Sequence, residues 1–139
     1  MKVTTAVAVC GLLSWTSYVA GAGLNDGDIV DRIYVHPKTG QALLVMSVDL
    51  PLTVEANEFK FSHKVSTYVG FVESGQLRTK YPQAKANVPV VFSFVFEQSP
   101  PPNVMPKLRA MKERLTGKGY EVQMKFYEEK FNKLVDLEP

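Results

Sequence analysis

Apolar side chains recur at a helical interval through the middle of the chain. Phe61, Val65, Tyr68 and Val72 stand at i, i+4, i+7 and i+11, which is one face of a helix. That helix is expected to begin between Glu55 and Phe59. Asn57 is the expected N-cap, because its side-chain oxygen can accept from the free N–H groups of the first turn. Gly75 ends the helix in the left-handed conformation that glycine adopts easily. Leu77 then folds back onto the last turn, and Tyr81-Pro82 closes a turn. A second stripe follows in Val104, Leu108, Met111 and Leu115, with Asn103 as cap and Pro106 in the first turn, where a missing N–H costs little. Gly117 and Gly119 close this second helix.

Period-two segments flank both helices. Residues 29–35 place Ile29, Ile33 and Val35 on one side and Val30 and Tyr34 on the other. His36-Pro37-Lys38-Thr39-Gly40 reads as a turn into a second strand over residues 42–48, so the two form a hairpin. Pro51 blocks further pairing. Residues 88–97 carry Val90, Phe92, Phe94 and Phe96 on one face and Val91 and Val95 on the other. A strand apolar on both faces belongs at the centre of its sheet. Residues 120–127 alternate Tyr120, Val122, Met124 and Phe126 with Glu121, Gln123 and Lys125, which suits a sheet with one solvated side.

The order is β-β-α-β-α-β. It predicts an α+β fold, a two-layer α/β sandwich with a four-stranded mixed sheet and both helices on one face. The third and fourth strands are joined by a helical crossover, so they are parallel if adjacent. Three segments follow: residues 1–22 as a leader, residues 23–127 as one domain, and residues 128–139 as a tail. Phe131, Leu134 and Val135 have helical spacing, so the tail is expected to dock as a short helix or to fray.

Composition adds bounds. At 139 residues the chain is long enough to bury a core without a metal or disulfide staple. A net charge of +2 falls short of a nucleic-acid footprint, which needs basic residues concentrated on one face. The N-terminus bears on the compartment. Lys2 precedes the apolar run Ala6-Val7-Ala8-Val9-Cys10-Gly11-Leu12-Leu13, and Ala20-Gly21-Ala22 matches an A-x-A cleavage site. That is the grammar of a secretory signal peptide cut after Ala22, and it predicts a secreted or periplasmic protein. A retained membrane anchor and a cytoplasmic protein whose start is assigned too early are the alternatives. Cys10 is the one cysteine, and it lies inside the leader, so a chain starting at Gly23 forms no disulfide. It lacks the small preceding residue of a lipoprotein site, and reads as a small apolar residue.

Candidate chemistry is sparse. Asp26, Asp28 and Asp31 cluster, but a calcium loop needs further oxygen ligands, and a solvated lead-in accounts for them. His36 and His63 stand on different elements with no cysteine partner, short of a zinc ligand set. His36 reads as a turn residue and His63 as an exposed or half-buried helix residue. No G-x-S-x-G elbow and no phosphate-cradling glycine loop is present. Lys107, Arg109, Lys112 and Arg114 lie mostly off the apolar stripe of the second helix, where solvation explains them and an acidic partner is the competing reading. The residues singled out as a functional surface are Lys64, Tyr68, Glu73 and His63. Lys64 and Tyr68 are four apart on one helical face, and a lysine stem packed along an aromatic ring is the simplest account.

Several of these segments resemble a known family. Ile29-Val30-Asp31-Arg32-Ile33, Thr39-Gly40, Lys64, Tyr68, Phe71, Glu73-Ser74-Gly75 and Tyr81-Pro82-Gln83-Ala84-Lys85 are similar to small bacterial proteins grouped as the domain of unknown function DUF6572. The resemblance spans roughly residues 29–126. It implies the same order of elements and brings no activity or site residues. The chain departs from the family in its leader and in residues 128–139.

Two functions follow. The first is a non-catalytic binding or accessory protein, exported, acting on an unknown protein partner without cofactor, metal or nucleic acid, and touching a membrane only if the leader is retained. The second is a small enzyme with a site around Lys64, Glu73 and His63.

Overall fold

The computed structural model describes residues 23–139 apart from residues 129 and 131, together with the backbone pairing of β1 (Ala6–Ala8) and β2 (Ser14–Thr16) in an antiparallel hairpin. The expected cleavage point at Ala20 and Ala22, the lipidation question at Cys10, and Phe131 lie outside the described residues.

The domain is built on a five-stranded sheet whose strands neighbour one another in chain order. β3 (Arg32–Val35) and β4 (Ala42–Val48) form the expected antiparallel hairpin, joined through a turn in which the His36 amide donates to the Gln41 carbonyl. β5 (Val91–Phe96) and β6 (Glu121–Glu128) run parallel to β4 and to each other. Parallel neighbours need a crossover, and three helices supply the two crossovers. α1 (Glu55–Glu73) with the short α2 (Gln76–Lys80) links β4 to β5. α3 (Met105–Gly117), entered through a 3₁₀ turn over Pro102–Val104, links β5 to β6.

β5 is central, as its two apolar faces require. Phe92, Phe94 and Phe96 stand in register with Leu44, Met46 and Val48 on one side and with Val122, Met124 and Phe126 on the other. This row faces the helices. The Phe61 ring of α1 meets Phe94 edge-on at 5.8 Å, and Tyr68 meets Phe92 at 6.3 Å. Leu108, Met111 and Leu115 of α3 join the same buried cluster. Burial of these side chains is the main stabilising term.

Three expectations are corrected. The sheet has five strands, because residues 133–136 form β7 (Lys133–Asp136), antiparallel to β6, where a helix or a frayed tail was expected. A chain segment beside the open edge of β6 gains ladder hydrogen bonds there, and Leu137 is carried into the core beyond it. Asn57 does not cap α1: Val54 occupies that position, and the Asn57 side-chain amide donates to the Pro51 carbonyl at 2.8 Å. Asn103 does not cap α3, since the 3₁₀ turn displaces the helix start and Val104 is the flanking residue. Gly75 behaves as expected, with φ +87° at the end of α1, and Leu77 is buried.

Candidate functional site

The polar centre of the domain is Lys64. It lies in the middle of the buried face of α1, between Phe61 and Val65 on one side and Tyr68 and Phe71 on the other. Its side chain is wholly inside the protein. A buried ammonium is costly unless paired and hydrogen-bonded. Lys64 Nζ is paired with Asp31 Oδ1 at 2.5 Å, and it also donates to the Gly23 carbonyl. Asp31 sits just before β3 and is equally buried. Its other oxygen accepts the Ser47 amide of β4 at 2.9 Å, and Oδ1 faces the Gly23 amide at 3.4 Å.

Tyr68 completes the arrangement one turn along α1. Its hydroxyl donates to the Val45 carbonyl at 2.7 Å and accepts the Asp31 amide at 2.8 Å. One phenol therefore joins the start of β3 to the middle of β4, at a point before regular pairing begins at Arg32. Burial pushes the Asp31 carboxyl above its ordinary value, opposed by the Lys64 ammonium and the Ser47 amide. Burial, together with the Asp31 charge, pushes the Tyr68 phenol well up. The raised phenol stays a neutral donor and acceptor across the physiological range.

Asp31 overturns one expectation. It does not share a solvated lead-in with Asp26 and Asp28, and is instead the buried partner of the only lysine on the core face of α1. A signal was present. Lys64 falls three residues after Phe61 and four before Tyr68, in the centre of the apolar stripe, where a lysine demands a carboxylate.

The other two singled-out residues lie elsewhere. Glu73, exposed at the end of α1, accepts from Lys118 at 3.1 Å and from the Tyr120 hydroxyl at 3.4 Å. It ties α1 to the entry of β6. Burial, and then Glu73, raises the Tyr120 phenol. His63 is on the outer side of α1, 3.0 Å from Asp28 Oδ1. The ring lies against Gly27, where a Cβ would come within 2.6 Å of His63 Cδ2. The structure thus brings Lys64 and Tyr68 together and leaves Glu73 and His63 apart from them. His36 is a turn residue whose Nδ1 faces the amides of Lys38 and Thr39.

Chemically, the Lys64–Asp31–Tyr68 cluster is sealed. Each polar atom is committed to a partner, and both charged side chains are cut off from solvent. Such an arrangement fixes geometry. Among the described residues, no group of three or more His, Cys, Asp or Glu is placed to hold a metal ion.

The surface offers a different feature. A groove of about 330 Å³ runs between α1 and α3. Phe61, Val65, Val104, Leu108 and Met111 line it, and Glu58, Lys107 and Arg114 supply its charged groups. Lys107 bonds Glu58 across the groove at 2.9 Å. Sequence reasoning identified both apolar stripes and the basic residues, but which flank of each helix faces the other is set by packing.

One family model matches residues 23–128, which takes in the whole cluster and all three helices. The chain belongs to DUF6572, a family of unknown function. No curated protein and no solved structure matches it. The DUF6572 match includes β3 to β6 and stops before β7, so the fifth strand lies beyond the matched span. Among the described residues of this DUF6572 protein, no helix is long and apolar enough to cross a membrane.

Proposed function

We propose that the protein is a non-catalytic binding protein, exported from the cytoplasm, that takes an acidic, amphipathic segment of a partner protein into the groove between α1 and α3. The observation that carries this reading is the groove itself: its floor is the outer edge of the buried Phe61, Val65, Val104, Leu108 and Met111 side chains, and at its margin Arg114 stands beside the paired Lys107 and Glu58. Helix-in-groove recognition uses such a floor for apolar anchors at i, i+3, i+4 and i+7. The Arg114 side chain is exposed at the margin and complements a carboxylate of the incoming segment. The sealing of Lys64 and Asp31 weighs against the enzyme alternative, since neither can reach a substrate without local opening. Export rests on the leader grammar: Lys2, the apolar run that follows it, and Ala20-Gly21-Ala22.

The test is selection from a displayed peptide library on the purified protein, counter-selected with Arg114→Glu and Met111→Trp. Enriched peptides should combine helical apolar anchors with Asp or Glu. They should lose at least about tenfold in affinity on Arg114→Glu, the effect of removing one favourable charge pair and adding a repulsive one. Peptides that bind the Met111→Trp protein unchanged would place the surface elsewhere. Turnover of any substrate that is lost on alanine replacement of His63 or Glu73, with the fold intact, would favour the enzyme.

A further inference from the structure

Gly23 is the residue that cleavage after Ala22 would make the N-terminus, and it is already inside the buried cluster. Its carbonyl accepts from Lys64, and its nitrogen faces Asp31 Oδ1 at 3.4 Å. A second carboxylate lies against it. Leu24 N donates to Asp49 Oδ1 at 2.8 Å. A Cβ on Gly23 would fall 2.2 Å from Asp49 Oδ2, so that carboxylate packs directly on the Gly23 Cα, one bond from the nitrogen. With φ +112°, no other residue fits this position without strain.

Two carboxylates, Asp31 and Asp49, thus converge around Gly23 beside one ammonium, Lys64. As a peptide amide, the Gly23 nitrogen has a single hydrogen, and its contact with Asp31 is at the outer limit of a hydrogen bond. As an ammonium it would have three hydrogens and a charge, with the Asp31 carboxylate facing it and the Asp49 carboxylate packed on the adjacent Cα. Arg32, the nearest other cation in sequence, is exposed.

We propose that the α-ammonium released by cleavage at Ala22–Gly23 is held in the fold by Asp31 and Asp49, so that leader removal completes the buried charge cluster. This rests on the export reading above. The cleavage is a hydrolysis by a leader peptidase. One water is consumed, its hydroxyl joins the Ala22 carbonyl carbon, the C–N bond breaks, and the Gly23 amine takes up protons from water and solvent. The ammonium then replaces a weak amide contact by charge-assisted bonds, which are shorter and roughly twice as strong. Processing would thereby act as a lock: the exported chain is tightened at the junction of β3, β4 and α1, and the uncut chain is not.

The full chain is expressed with its leader in an exporting host, and the secreted fraction is analysed by intact mass. A mass beginning at Gly23 is expected. The processed protein is then treated with an amine-acetylating reagent at neutral pH, native and in urea, and the site of modification is read by peptide mapping. The Gly23 amine should react at least about tenfold more slowly in the native protein, since each pKa unit of upward shift lowers the reactive free-base fraction tenfold. The exposed Lys38 serves as the unprotected control. Asp49→Asn should move the native rate toward the unfolded one. A native rate equal to the unfolded rate overturns the proposal while leaving export intact, as does a secreted chain that begins at another residue. A chain found in the cytoplasm with Met1 retained overturns the export reading, and the proposal with it. The wild-type comparison needs no variant, so a folding defect in Asp49→Asn does not weaken it.

Discussion

Lys64 decides more at the residue scale than any other side chain. An ion pair buried on both sides adds little net stability relative to apolar replacements, but breaking it leaves an uncompensated charge. Lys64→Met should therefore cost about 3–5 kcal/mol near neutral pH, measured by urea denaturation. The cost should shrink in acid, because a protonated Asp31 no longer needs a cation. The sign for the wild type follows from the same carboxyl. Its folded pKa is raised above 3.8, so folding takes up a proton in that window. The stability attributable to Asp31 is then greatest below the ordinary value and falls as pH rises through the folded one. The wild-type advantage over Asp31→Asn should decline across that window, and an advantage that grows with pH there would contradict the assignment. The pair was only half legible in the sequence. Lys64 stands visibly within an apolar stripe, whereas Asp31 is one of three nearby aspartates, and only the pairing of β3 with β4 turns it inward.

At the scale of elements, regular periodicity was a sound guide wherever one face is buried. The stripes of α1 and α3 and the double-sided apolarity of β5 correspond to observed elements because packing enforces them. The N-caps and the C-terminal tail were not legible, whereas the Gly75 cap was. Asn57 has the right chemistry for an N-cap, but Pro51 lies close enough to compete for its side chain. β7 is an edge strand with Leu134 exposed, so its pattern lacks the alternation that a buried face imposes. What holds β7 is the ladder with β6 and, just beyond it, Leu137, whose amide donates to the Met124 carbonyl at 2.8 Å and whose side chain is buried. Leu137→Ala should cost about 2 kcal/mol, the low end for a buried leucine, since an edge position can relax into the gap. A loss below about 0.5 kcal/mol would mean that β7 contributes nothing to the core.

Across the whole molecule, the sheet is asymmetric in how its edges are tied. Parallel β4, β5 and β6 are covered by helices along their length, and antiparallel strands close both sides. The two closures differ in kind. β3 is anchored by the buried Asp31–Lys64 pair and by the Tyr68 hydroxyl that spans Asp31 and Val45. β7 is held by its ladder and the Leu137 anchor. Local opening depends on how many buried contacts must break, so the edges should open at different free energies. Native-state hydrogen exchange should find the slowest amides in β4, β5 and β6, intermediate protection in β3, and the fastest strand amides in β7. Lys64→Met should then raise exchange selectively in β3 and in residues 23–31, bringing β3 to or below the level of β7, while the protection of β5 falls only by the loss of global stability. If β3 and β7 exchanged alike in the wild type, or if the variant loosened every strand equally, the cluster would belong to the general core. A selective response would identify it as the clasp that fastens the N-terminal hairpin, and with it Gly23, to the rest of the sheet.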